Sequence, residues 1–280
     1  MLSEIENSAL NDNVVAALVE DLRDGDLTAQ LIPAGSVGCA RVITRQDAVI
    51  CGAPWFEACF RALDADCRIA WQVEEGGYAH ANQTLCELHG DARALLSAER
   101  PALNFLQTLS ATATLTRRYV EAVAGTGAQI LDTRKTLPGL RLAQKYAVRV
   151  GGGKNQRVGL YDGILIKENH ILAAGGIRPA LQQAFALAHP GVSVQVEVES
   201  LDELREALEA GAKLILLDNF DLDGMRAAVA IAGDRAELEA SGGVNLDSVR
   251  AIAETGVHRI SVGGLTKDVQ AVDLSMRFEG

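Results

Sequence analysis

The sequence predicts an α/β chain in two parts: a mixed α/β or α+β segment to about residue 116, then a (β/α) barrel or doubly wound sheet. Three observations carry this. At 280 residues the chain reaches the size where a single core stops growing, so one large domain or two modest ones are expected. Its composition, 48% hydrophobic but only 4% aromatic, is that of an Ala/Val/Leu/Gly-rich globular chain, neither disordered nor fibrous. From Gln129 onward, short β-branched runs alternate with helical stretches at intervals of roughly 20 to 34 residues, the repeat that parallel β/α units need.

In the first part, Val14–Leu22 reads as a helix, and Ala40–Thr44, Ala48–Cys51 and Cys67–Val73 read as short strands with turn residues between them. Pro101 opens a long Ala/Leu/Thr-rich helix over Ala102–Ala124 that bridges the two parts. In the second part the strand candidates are Gln129–Arg134, Gly163–Lys167, Val192–Val198, Lys213–Asp218, Ala236–Ala240 and Arg259–Val262, with helical patterns between most of them. The residues after Leu265 read as a short extra segment.

Charge and cysteine usage narrow the function classes. With 26 basic against 37 acidic residues, net −11, diffuse attraction to nucleic acid or anionic lipid is disfavoured. Any anionic ligand must be captured by a local basic cluster. Cys39, Cys51, Cys59, Cys67 and Cys86 form no Cys-x-x-Cys pair, which predicts reduced thiols and a cytoplasmic protein. The histidines (His80, His89, His170, His189, His258) lack ligand spacing, so a zinc site is not expected. Met1 to Leu10 carries acids without a basic or apolar leader pattern, and no apolar run approaches the ~20 residues needed to cross a bilayer.

The C-terminal edges of the six strand candidates are all polar: Asp132-Thr133-Arg134-Lys135, Lys167-Glu168-Asn169-His170, Glu197 with Glu199, Asp218-Asn219, Ser241-Gly242-Gly243 and Gly263-Gly264. Barrel active sites are assembled from these strand ends, so the set predicts one shared site. Between Thr133 and Lys167 lie eight basic residues (Arg134, Lys135, Arg141, Lys145, Arg149, Lys154, Arg157, Lys167) and one acid, Asp162. In so acidic a chain, that local +7 reads as a pocket for a multiply charged anion, for which arginine's planar fork is suited. Arg141, Lys145 and Arg149, spaced i, i+4, i+8, read instead as a solvated helix face.

Downstream the sign reverses. Glu197, Glu199 and Asp218 at adjacent strand edges suggest a hard cation, Mg²⁺, held partly through waters and substrate oxygens, although a glutamate here could simply balance the basic pocket. Strand alternation points Glu197 and Glu199 to the same face. The late glycine pairs expose backbone N–H groups that can cradle a phosphate, with Lys267 close behind. Neither is a P-loop, and Gly151-Gly152-Gly153 does not complete a dinucleotide fingerprint. Lys167, ending an apolar run, also admits a Schiff-base lysine or an ion pair to a strand-end carboxylate.

Several longer motifs carry a resemblance: Glu99-Arg100-Pro101-Ala102-Leu103-Asn104, Leu131-Asp132-Thr133-Arg134-Lys135-Thr136-Leu137-Pro138-Gly139, Lys145-Tyr146-Ala147-Val148, Gly159-Leu160-Tyr161-Asp162, Leu165-Ile166-Lys167-Glu168-Asn169-His170 and Leu217-Asp218-Asn219-Phe220. Over roughly residues 14 to 276 the chain resembles the nicotinate-nucleotide pyrophosphorylase (carboxylating), or quinolinate phosphoribosyltransferase, family of NAD biosynthesis. The resemblance implies an N-terminal α/β sandwich (1–112), an incomplete (β/α) barrel (113–266) and a tail (267–280) packing back on the N-terminal domain. It implies Mg²⁺-dependent transfer of phosphoribosyl from 5-phosphoribosyl 1-pyrophosphate to quinolinate with decarboxylation. It also implies a homodimer whose active sites are completed by the neighbour's Arg100. Arg134, Arg157 and Lys167 match the dicarboxylate clamp, with Thr133 and Gln156 beside it. Lys135, Glu197 and Asp218 match the catalytic group around ribose, pyrophosphate and metal. Ser241-Gly242-Gly243, Val262-Gly263-Gly264 and Lys267 match the 5-phosphate cradle.

One position departs from the pattern. The family often has Asn-His-Arg where this chain has Asn155-Gln156-Arg157, and glutamine can donate a hydrogen bond there but cannot carry charge. Competing readings are an aldolase using Lys167, a catalytically silent relative that binds phosphorylated metabolites, and a transferase acting on another acid.

Overall fold

The structure, a computed structural model, describes residues 2–279. Met1 and Gly280, the outer ends of the expected segments, lie outside the described residues. The chain groups into two compact units. The first holds the residues up to Arg117, Thr136–Gly152, and those from Asp268 on; the second holds Arg118–Lys135 and Gly153–Lys267. The excursion of 136–152 into the first unit has no counterpart in the expected segments 1–112, 113–266 and 267–280. The amphipathic helix within it buries Ala143 and Ala147 in the first unit's core.

The first unit comprises α1 (Glu4–Leu22), β1 (Val37–Thr44), β2 (Ala48–Val49), α2 (Ala53–Leu63), β3 (Arg68–Trp71), β4 (Tyr78–Ala79), β5 (Thr84–Asp91), most of α3 (Ala92–Ala122), α4 (Arg141–Val150) and β12 (Leu274–Glu279). The helix expected over 14–22 begins ten residues earlier, because Ser3 and Glu6 close a capping box at its start. Nor does Pro101 open a helix. It sits inside α3, whose Leu95, Ala98, Ala102, Leu103, Leu106 and Leu109 face the core, and that burial outweighs the lost hydrogen bond. An antiparallel sheet in the order β12-β1-β5-β3 lies against this core, with Trp55, Phe56 and Phe60 of α2 among its largest buried side chains. The tail pairs with β1, Leu274 opposite Thr44 through Glu279 opposite Cys39. Of the solvated face expected for α4, Arg149 is exposed and Arg141 half-buried, but Lys145 is only 1% exposed, because α4 turns that position inward.

The second unit is a parallel sheet with helices: β6 (Gln129–Leu131), β7 (Gly163–Ile166), α5 (Glu168–Ala174), α6 (Ile177–Leu187), β8 (Ser193–Val198), α7 (Leu201–Glu209), β9 (Leu214–Asp218), α8 (Leu222–Ala232), β10 (Glu237–Ser241), α9 (Val249–Ala253), β11 (Arg259–Ser261) and α10 (Gly264–Lys267). Each of the six strands falls on its expected run. The order β6-β11-β10-β9-β8-β7 is cyclic with one break, between β6 and β7, which is an incomplete barrel and excludes a doubly wound sheet.

Alternation divides the strands' side chains between two faces. Ile130, Val196, Val198, Ile215, Leu217, Leu238, Ala240 and Ile260 are buried aliphatics, and α6 to α9 pack along the strands. The opposite face carries Gln195, Glu197, Leu216, Asp218, Glu239, Ser241 and Ser261. That second face is mostly polar, which is unusual for a barrel interior filled by branched aliphatics.

Candidate active site

Most of the expected site residues lie at the C-terminal strand ends of the second unit, where the structure joins them into small groups. After β6, Thr133 Oγ1 accepts from the Lys135 backbone N–H at 3.1 Å, and Thr266 Oγ1 donates to the Lys135 carbonyl at 2.8 Å. The Lys135 side chain lies across Gly263, where an added Cβ would meet Lys135 Cδ at 3.2 Å and Thr133 Oγ1 at 3.8 Å. Pairing of β6 with β11 in register, Ser261 beside Leu131, brings these two ends together.

A second group gathers around Arg157. Its Nη1 donates to the Gly163 carbonyl at 2.8 Å, and the Asp162 carboxylate accepts from the Val158 and Gly159 backbone N–H groups at 2.7 Å each, closing the loop that presents the arginine. Burial first, then the like charge of Arg134, hold the Arg157 guanidinium below its ordinary pKa, with Asp162 opposing. Arg134 and Arg157 are therefore close enough to repel.

The segment carrying Arg157 is anchored beneath. Asp132 is buried and accepts from Asn155 Nδ2 at 2.5 Å and from the Gln156 backbone N–H at 2.8 Å. Gln156 Nε2 lies 2.5 Å from each oxygen of Glu239, a buried carboxylate in mid-β10 that the sequence reading did not single out. Its signal was there, in a glutamate on the inward parity of a strand whose other parity is aliphatic.

Lys167 caps α5 rather than ending β7, and its Nζ lies 2.9 Å from Glu197 Oε2, the lysine 51% and the glutamate 11% exposed. A half-exposed ammonium paired with a carboxylate lacks the desolvation that activates a Schiff-base lysine, so this geometry favours the ion-pair alternative. Asp218 Oδ2 accepts from Asn219 Nδ2 at 3.0 Å. Gly242, at φ 105°, passes so close to Asn219 that a Cβ would collide with its side-chain oxygen, which makes glycine obligatory in that turn. Ser241 ends β10 level with Asp218, Val262 is buried after β11, and Gly264 and Lys267 bound the short α10.

The acidic side is electrostatically crowded. The charge of Glu168 above all, then desolvation and the charges of Glu203, Asp218 and Glu197, push the exposed Glu199 carboxyl above the ordinary carboxylate value. Among the described residues no cluster of three or more His, Cys, Asp or Glu side chains is placed to hold a metal ion. Glu197 and Asp218 supply two hard oxygen donors on neighbouring strands, which fits Mg²⁺ only if water and substrate oxygens complete its shell.

Arg100 belongs to the first unit, on α3, with its guanidinium 3.8 Å from Glu99. All five cysteines are free. No helix among the described residues is long and apolar enough to cross a membrane.

Comparison with known proteins gives two family matches: "Quinolinate phosphoribosyl transferase, N-terminal domain" over residues 26–110 and "Quinolinate phosphoribosyl transferase, C-terminal domain" over 112–277. The chain is 43% identical over 259 residues to a probable nicotinate-nucleotide pyrophosphorylase (carboxylating) of Bacillus subtilis, covering 92% of this chain and 89% of that one. It is 43% identical over 286 residues to the nicotinate-nucleotide pyrophosphorylase (carboxylating) of Mycobacterium leprae, covering 99% of each. The solved nicotinate-nucleotide pyrophosphorylase of Francisella tularensis superposes with a TM-score of 0.94 at 45% identity, over 98% of this chain and 97% of that one.

Proposed function

The chain belongs to the quinolinate phosphoribosyltransferase family, and on that premise we propose that it transfers phosphoribosyl from 5-phosphoribosyl 1-pyrophosphate to quinolinate with loss of CO₂. The products are nicotinate mononucleotide and pyrophosphate. It is a phosphoribosyltransferase of NAD biosynthesis. The observation that supports the substrate assignment is the gathering of basic groups at the strand ends, Arg134 and Arg157 half-buried and Lys167 beside them. Two guanidinium forks and an ammonium can grip a dianion through both carboxylates.

The chemistry needs positioning and charge rather than a covalent nucleophile. The quinolinate ring nitrogen attacks ribose C1 as the C1–O bond to pyrophosphate breaks, with cationic character developing at C1. On this reading Glu197 and Asp218 stabilise that charge and Lys135 binds the departing phosphate oxygens; their positions at neighbouring strand ends and over Gly263 support it. The ring nitrogen is then positive, so the bond to the adjacent carboxylate can break, its electron pair remaining on the ring carbon as an ylide until protonated. Backbone N–H groups of Ser241-Gly242-Gly243 and Val262-Gly263-Gly264, with Lys267, would hold the 5-phosphate. Glu197 and Asp218 would hold Mg²⁺, which supplies charge neutralisation at pyrophosphate oxygens.

We assign the protein to the cytoplasm as a homodimer, in which each quinolinate site is completed by Arg100 of the partner subunit. The free cysteines and the family motif around Arg100 support these two assignments. Purified protein should release CO₂ from quinolinate with phosphoribosyl pyrophosphate and Mg²⁺, lose this activity with chelator and regain it with Mg²⁺, and give no product from nicotinate. Ligand binding without CO₂ release would identify a silent relative, and turnover of nicotinate would identify a different acid specificity.

A further inference from the structure

A carboxylate taken out of water must be compensated by donors, and a core that needed only stability would use an aliphatic side chain instead. Glu239 is buried in the middle of β10, where barrels normally place branched aliphatics. Four side chains converge on it. Gln156 Nε2 reaches both oxygens at 2.5 Å, Gln195 Nε2 donates to Oε2 at 3.0 Å, Ser261 Oγ donates to Oε1, and Arg259 Nε lies 3.4 Å from Oε2. Gln195 and Glu239 each stand two residues before a site residue on the same strand, Glu197 and Ser241, and Ser261 ends β11 two residues before Gly263. The network is therefore a polar floor directly beneath the strand-end site.

Gln156 links this floor to the pocket. Its backbone is fixed by Asp132 and its side chain by Glu239, so residue 156 is held at both ends, and the next residue is Arg157. We propose that Glu239 is a positioning residue for the dicarboxylate pocket, fixing Gln156 and through it the Arg157 guanidinium. The proposal rests on the quinolinate reading of the site and deepens it.

Initial-rate kinetics of E239Q, which keeps the shape and removes the charge, test it. Loss of a charge-assisted hydrogen bond that acts on the quinolinate pocket raises KM for quinolinate roughly tenfold. KM for phosphoribosyl pyrophosphate and kcat should stay within about twofold, because the Ser241 and Gly263 turns present backbone N–H groups fixed by the β9-β10-β11 ladder, and Glu197 is held by Lys167, none of which needs the Glu239 charge. In a Gln156→Ala background the same substitution should add less than about twofold, since the link is already cut. Independent, multiplying effects of the two substitutions would overturn the proposal. So would a fall in kcat at unchanged KM, or equal changes in both KM values, since a merely structural role would produce those. If E239Q does not fold, Gln156→Met leaves Glu239 and its other three donors in place and carries the same test. A roughly tenfold rise in KM for quinolinate at unchanged melting temperature supports positioning, and an unchanged KM refutes it. Wild-type protein that neither binds nor converts quinolinate would instead overturn the functional reading, and this proposal with it.

Discussion

Replacing Gln156 by histidine would put a titratable ring against the Glu239 carboxylate, in the place of an amide nitrogen now 2.5 Å from both oxygens. Of the charged groups there, Glu239 and Asp132 bond to Gln156 directly, Arg259 pairs with Glu239, and Arg157, the next residue, feels Arg134. Direct contact with a carboxylate raises an imidazole's pKa by about 1 to 3, while the arginines and burial pull it down. The direct carboxylate contact dominates and holds the introduced imidazole above its ordinary ~6.5. Below its raised pKa the ring adds a positive charge to a pocket for a dianion. With a charge-assisted contact worth ~1.5 kcal/mol, KM for quinolinate should be about tenfold lower at pH 6 than at pH 8.5, relative to the wild type. The sign for stability is the same. A folded-state pKa raised above the unfolded one contributes stability that is complete below about 6.5 and lost as pH rises through the folded value. The Gln156→His protein should therefore gain melting temperature over the wild type at pH 6, and the gain should fade by pH 8.5. The assay is KM for quinolinate and thermal unfolding, for both proteins, across this range. Parallel KM profiles, or a difference that grows with rising pH, would refute the reasoning.

Three further outcomes are expected. Arg134→Ala and Lys135→Ala, at partly exposed strand ends outside any core, should each lower kcat/KM by about 100-fold while shifting the melting temperature little; near-wild-type turnover in both would remove the site assignment. Mixing and refolding inactive Arg100→Ala with inactive Arg134→Ala should restore about a quarter of wild-type activity, because each hybrid dimer would carry one intact shared site. No recovery would leave Arg100 serving its own chain. Finally, a thiol reagent should modify Cys39, which is exposed, quickly, and the other four only after unfolding. Burial pushes Cys59 up to about 12 and raises Cys51, Cys67 and Cys86 as well, so labelling of more than one thiol in the native protein by mass spectrometry would contradict the packing.

The sequence by itself determined the second unit almost element by element. Its strands are buried on the helix-facing parity, so runs such as Val194 to Val198 and Leu214 to Leu217 announce themselves by local composition alone. The polar strand ends were legible for the same reason, since a charged residue closing an apolar run is a local event. What is decided by packing was not legible. Pro101 stays helical because α3 buries one whole side, and Lys145 is buried because α4 lies with the first unit although the chain on either side of 136–152 belongs to the second. Glu237 and Glu239 share one parity of one strand, yet only the second is buried, because depth along the barrel is set by the register of neighbouring strands and not by either residue's own sequence. The donors that let Glu239 stay there come from residues 156, 195, 259 and 261, gathered only when the sheet closes. Periodicity tells which way a side chain points; only the assembled sheet decides what it meets.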